Sequence, residues 1–116
     1  MLQTASIINN WRTKNNQSVA NLAAQLSVPN TGFRGRTVYN DTSMRAVLLA
    51  FAPLQRLSDP STSTPVYLHV LEGEVEVTVG KRKVQAEAGH WVDVPPRHEH
   101  SIYVKSPSKL LMLLEK

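Results

Sequence analysis

Gly89-His90-Trp91-Val92-Asp93-Val94-Pro95-Pro96-Arg97-His98-Glu99-His100 decides the fold of this chain. It reads as a short strand and then a stiff turn, because each proline fixes φ and removes a backbone donor. The turn delivers His100 five residues after Pro95. Side chains alternate across a strand, so Trp91 and Asp93 share one face while Val92 and Val94 share the other. Sixteen residues before Gly89 lies Gly73, inside Leu68-His69-Val70-Leu71-Glu72-Gly73-Glu74-Val75-Glu76-Val77.

Outward from these two stretches the chain reads as strands and turns. Val66 to Leu71 is a strand, and Gly73 makes a bend. From Glu74 to Val79 the alternation is strict, with Val75, Val77 and Val79 facing one side and Glu74, Glu76 and Thr78 the other. That is a half-buried antiparallel strand. Gly80-Lys81 turns it into Arg82 to Ala88. Thr37 to Tyr39, Arg45 to Ala52, Ser101 to Val104 and Leu110 to Leu114 are further strands. Asp59 to Pro65 is rich in turn formers and reads as a loop. The dense ending Leu110-Leu111-Met112-Leu113-Leu114 predicts a strand covered on both faces. Short strands at regular spacing, divided by Gly and Pro, argue for an all-β sandwich or barrel.

The 116 residues fit one domain. Residues 1–32 form an expected N-terminal arm with one short helix, and 33–116 the barrel. Ser18 is a suitable N-cap. Val19, Leu22, Ala23 and Leu26 then follow helical spacing up to Pro29. Such a helix would plug one end of the barrel or pack at a dimer contact. Surplus apolar strand surface and uncovered strand edges predict a homodimer.

Net charge is +4. Residues 1–58 hold six Lys or Arg against Asp41 alone, and residues 59–116 hold seven against eight acids. The arginines are scattered with little aromatic interleaving, which argues against nucleic-acid binding. No apolar run reaches membrane-spanning length. No apolar signal segment opens the chain, so a cytoplasmic location and no membrane partner are expected. With no cysteine, disulfides and thiolate chemistry are excluded, and any metal would need His, Asp or Glu. There is no Gly-rich phosphate loop and no nucleophile elbow. Ser101 and His100 are adjacent and face opposite ways, so they cannot act as a Ser–His pair.

The two quoted stretches resemble the paired barrel motifs of the cupin superfamily, in particular small stand-alone bacterial cupins. The resemblance covers about Arg34 to Glu115 and implies a double-stranded β-helix, the RmlC-like jelly-roll barrel. Gly73, Gly89, Pro95 and His100 match the motifs. Arg97 stands where the second motif carries Gly, and Val104 where it carries Asn. In the first motif Val66 falls on the metal-binding Glu, and Asp59 to Thr62 holds no histidine where a pair is usual. Of the family's four metal-ligand positions only His100 remains.

The resemblance aims His100 into the barrel mouth, as a contact for a small ligand. His98 is two residues away and would join it if the chain were extended there; otherwise it is an exposed loop residue. Tyr67, Trp91 and Tyr103 either line an apolar pocket with polar tips or serve as core and interface packing. Alternation from Val66 puts Leu68 and Val70 inside and His69 outside. His90 reads as a surface turn residue. The expected function is a small-molecule binding barrel without metal or other cofactor. One alternative is a metal-dependent enzyme using His100, His98 and His69, with Asp59, Asp93 or Glu99 as a further ligand. Another is a dimeric scaffold.

Overall fold

The computed structural model describes residues 21–59 and 62–116. Among the described residues there are nine strands: β1 (Phe33–Asn40), β2 (Met44–Phe51), β3 (Gln55–Asp59), β4 (Val66–Glu72), β5 (Glu74–Val79), β6 (Arg82–Glu87), β7 (Trp91–Val94), β8 (His100–Val104) and β9 (Ser108–Glu115). They form two antiparallel sheets, one ordered β1-β2-β9-β4-β7 and the other β3-β8-β5-β6. The expected all-β jelly roll is therefore present. No helix among the described residues is long and apolar enough to cross a membrane.

Alternating apolar positions make the core. Val66, Leu68 and Val70 of β4 point inward with Leu110 and Met112 of β9, and meet Val75, Val77, Ile102 and Val104 from the facing sheet. Side chains packed this closely leave few voids as large as a water molecule. The interior is thus a filled apolar core, and its polar groups lie at its ends. As expected, β9 is covered on both faces, with Leu110, Met112 and Leu114 inward and Leu111 and Leu113 in a second apolar cluster outside.

Gly73 turns the chain from β4 in one sheet to β5 in the other. Its φ is +86°, and a side chain there would collide with Ser108 Oγ and come within 2.5 Å of the Pro107 carbonyl. Only glycine satisfies both demands. Ser108 beneath it is fully buried. Its hydroxyl lies 2.9 Å from the Ser106 carbonyl and 3.3 Å from that of Glu74, so the corner is closed by polar contacts.

Two expectations need correction. The helix expected from Ser18 to Leu26 lies in part outside the described residues; within them it is a single 3-10 turn, Leu22–Ala24. Asn21 gives no side-chain cap there, and no acid sits in the first turn, so nothing favours propagation over tertiary docking. Leu22 and Leu26 pack on the outer cluster around Leu48 rather than plugging the barrel. Second, the expected loop at Asp59 is the last residue of β3, a strand not anticipated from the sequence.

Candidate functional site

His100 opens β8 at one end of the four-stranded sheet. It pairs with Asp59 of β3 on one side and Val79 of β5 on the other. Its side chain is 2 % exposed, and Nε2 lies 3.2 Å from Asp59 Oδ2. The carboxylate oxygen lies off the N–H direction, however, and Nε2 has no hydrogen-bond partner among the described residues. A buried polar atom without a partner costs about 1–3 kcal/mol, so this nitrogen marks the most unusual position in the fold. Burial of the ring lowers the His100 pKa below its ordinary 6.5, opposed by the negative charge of Asp59. At neutral pH the imidazole is therefore neutral, with one donor and one acceptor nitrogen.

His100 and Asp59 border a cleft of about 230 Å³. Ser58, Thr78, Gly80, Glu99 and Ser101 line the rest. The register explains the hydroxyls, because Ser58, Ser101 and Thr78 are paired in a row across β3, β8 and β5. Ser101 and His100 face opposite sides of their strand, as alternation requires.

The loop into His100 is held in an unusual conformation. Arg97 has φ +63°, the left-handed region that side chains other than Gly, Asn and Asp rarely adopt. Its N–H donates to the Thr62 carbonyl at 2.7 Å, and Gly80 N–H donates to the Glu99 carbonyl at 3.0 Å. These two bonds pin the Pro95–His100 turn against its neighbours.

The other expected site residues are not gathered around His100. His98 is exposed, its Nδ1 lying 2.9 Å from the Pro96 carbonyl. It borders a separate cleft with Val84, Val92, Asp93 and Arg82. Tyr103 lies on the outer side of the four-stranded sheet under the Arg56 guanidinium, 5.0 Å from its ring. Tyr67 and Trp91 stack at 5.5 Å on the outer side of the five-stranded sheet. The Tyr67 hydroxyl donates to Glu115 Oε1 at 3.0 Å, a bond that raises the pKa of the phenol. His69 is there too, 6.2 Å from the Trp91 ring, and so faces outward as alternation predicted. His90 is exposed, its Nδ1 accepting the Glu87 N–H at 3.0 Å.

His100, His98 and His69 thus occupy three different surroundings and do not form a ligand set. No group of three or more His, Asp or Glu side chains converges among the described residues. A divalent ion in such a barrel needs three or four nitrogen or oxygen ligands around one point. His100 and Asp59 offer two, and Val66, which falls on the family's Glu, is buried among apolar neighbours. The described donor set does not fit a cupin metal centre.

The sequence matches the cupin-domain family model over residues 58–114, the span that carries Asp59, Gly73 and His100. The chain is a cupin-type barrel protein. Among solved structures, this cupin is similar to a conserved protein of unknown function from Streptococcus pyogenes. The two are 18% identical with a TM-score of 0.81, over 97% of this chain and 96% of that one. A cupin superfamily protein from Desulfitobacterium hafniense is 19% identical with a TM-score of 0.77, over 81% and 86% of the two chains. The cupin domain of Schizosaccharomyces pombe Cnp3 is 16% identical with a TM-score of 0.71, over 86% and 76%. At these identities the likeness is one of fold. No curated protein sequence matches the chain.

Proposed function

We propose that this cupin is a binding module that takes a small polar organic molecule at the end of its barrel, in the cleft between Asp59 and His100. The observation that carries this reading is the buried His100 Nε2, 3.2 Å from Asp59 Oδ2 and without a hydrogen bond. A ligand hydroxyl or amine in the cleft satisfies that nitrogen and removes its desolvation cost. Asp59, beside that nitrogen, and Glu99 are acceptors when ionised, while Ser58, Thr78 and Ser101 border the cleft from the opposite face of the sheet. This set favours a polyhydroxylated or ammonium-bearing molecule and disfavours a carboxylate or phosphate. The ligand sits at the mouth, because apolar side chains fill the interior.

The test is a ¹H–¹⁵N NMR titration of the protein with a panel of neutral sugars, polyols and small amines, paired with matched organic acids. Shifts centred on Asp59, Glu99 and His100, lost in His100→Ala and Asp59→Asn, support the reading. Perturbation confined to another surface, or a response to the acids alone, overturns it.

A further inference from the structure

Two strand edges adjoin where the sheets part. β6 is the outermost strand of one sheet and β7 of the other. The turn after Glu87 joins them, closed by His90 N–H donating to the Glu87 carbonyl at 2.9 Å. Each strand is paired on one side only, which leaves a row of backbone N–H and C=O groups on the other. Alternation turns Val84 and Ala86 of β6, and Val92 and Val94 of β7, toward the core. Ala86 and Val94 are buried. Val84, Val92 and the neighbouring Val79 of β5 pack on the core but are only half-buried. These three valines line a cleft of about 210 Å³. The barrel wall is thus open along this seam, over an apolar floor.

The charge at the rim of the cleft is of one sign. Arg82 opens β6 on the same face as Val84. It borders the cleft, is exposed, and makes no ion pair among the described residues. Asp93 borders the cleft as well. However, it alternates with Val92 and Val94, so its carboxylate turns to the outer side of the sheet, where it accepts the Trp91 Nε1 hydrogen. His98 completes the rim. Its Cδ2 lies 3.9 Å from where a side chain on Gly80 would begin, so the ring leans on the hairpin turn between β5 and β6 and adds no negative charge.

We propose that this seam is a second binding site, which takes a short aliphatic carboxylate. The tail lies on Val79, Val84 and Val92, and the carboxylate meets Arg82, whose planar fork matches it in a bidentate pair. Free N–H groups along the strand edges are further donors to the anion. The cleft is smaller than the pockets of about 300–1,000 Å³ that hold drug-sized ligands, so the tail is short or branched. Tail and charge act together, because an exposed ion pair alone contributes little. The His100 cleft adjoins this one at the Val79-Gly80 turn, Gly80 bordering the former and Val79 the latter. Its carboxylates, Asp59 and Glu99, prefer the opposite charge. The seam therefore binds independently of whatever occupies the His100 cleft.

Methyl ¹H–¹³C NMR of the full chain, titrated with isovalerate, tests this. The methyl signals of Val79, Val84 and Val92 are expected to shift and saturate. Acetate lacks the tail and isoamyl alcohol lacks the charge, so each should bind about tenfold more weakly or worse. Isoamylamine should leave the three valines unmoved. Arg82→Gln should weaken isovalerate by about tenfold while its affinity for isoamyl alcohol and its unfolding midpoint stay unchanged, since Arg82 is exposed. Arg82→Glu should reverse the preference, from isovalerate to isoamylamine. Valine methyls indifferent to isovalerate overturn the proposal. So does acetate binding as tightly as isovalerate, or an Arg82→Gln variant that binds isovalerate as well as wild type does.

Discussion

His100 Nε2 and Asp59 Oδ2 lie 3.2 Å apart across the paired strands β8 and β3, the histidine buried and the carboxylate about one-third exposed. For the histidine, burial dominates. Desolvation lowers the His100 pKa below 6.5, and Asp59 pulls against it. The pair is a neutral imidazole beside a carboxylate at the rim of a polar cleft, an arrangement suited to sharing hydrogen bonds with a visitor.

NMR titration should therefore show the His100 ring protonating below pH 6.5. Asp59→Asn removes the influence that raises the value and should move it lower still. The neutral ring is favoured in the fold, so the unfolded chain binds the proton more readily. This contribution to stability is present above about pH 6.5 and is lost as pH falls through the folded value. His100→Gln should flatten that part of the stability profile. A His100 pKa above 6.5 contradicts the account.

Gly73→Ala should destabilise the fold by about 2–4 kcal/mol, combining a left-handed backbone with a steric clash. The clash is with Ser108 and the Pro107 carbonyl, a fully buried side chain and a backbone atom, and neither has room to retreat. Urea unfolding measures the loss. A midpoint equal to that of wild type would show that the corner is looser than described.

Most of the architecture was legible because its strands obey a two-residue period over apolar side chains. Glu74–Val79 is the clearest case, and the outward placement of His69 followed from the same alternation. β3 was hidden because Gln55-Arg56-Leu57-Ser58-Asp59 alternates with one apolar residue only. Its inward positions are Gln55, Leu57 and Asp59, so the period is present but hydrophobicity does not report it. That omission made Asp59 a loop residue and concealed its pairing with His100. The spread of Tyr67, Trp91 and Tyr103 over two outer surfaces was not readable either. An aromatic residue in a strand has the same pattern whether it faces a pocket or a neighbouring molecule.

Arg97→Gly should stabilise the protein by about 0.5–1 kcal/mol, less than the full relief of left-handed strain because glycine also loosens the unfolded chain. Arg97 is exposed and contributes its backbone N–H to Thr62, which glycine keeps. Leu54, with φ +65° and 68% exposed, should respond to Leu54→Gly in the same direction. Chemical denaturation of both variants is the measurement. If Arg97→Gly unfolds more easily than wild type, the side chain has a role beyond that of its backbone.

Val66→Glu is the sharpest probe of metal binding, because it places a carboxylate at the family's ligand position. Val66 is 1% exposed and stands between Leu114 on β9 and Val94 on β7. An ionised carboxylate buried there is expensive, and the group should stay protonated or drag water inward. The variant should lose about 3 kcal/mol or more of stability at neutral pH and regain part of it as pH falls and the carboxyl is neutralised. Manganese, nickel or zinc should not restore the loss, since no three His, Asp or Glu side chains converge among the described residues. Urea unfolding at two pH values, with and without each metal, decides the matter. A variant as stable as wild type, or one rescued by a stoichiometric ion, would show that the site still has the geometry to hold a metal.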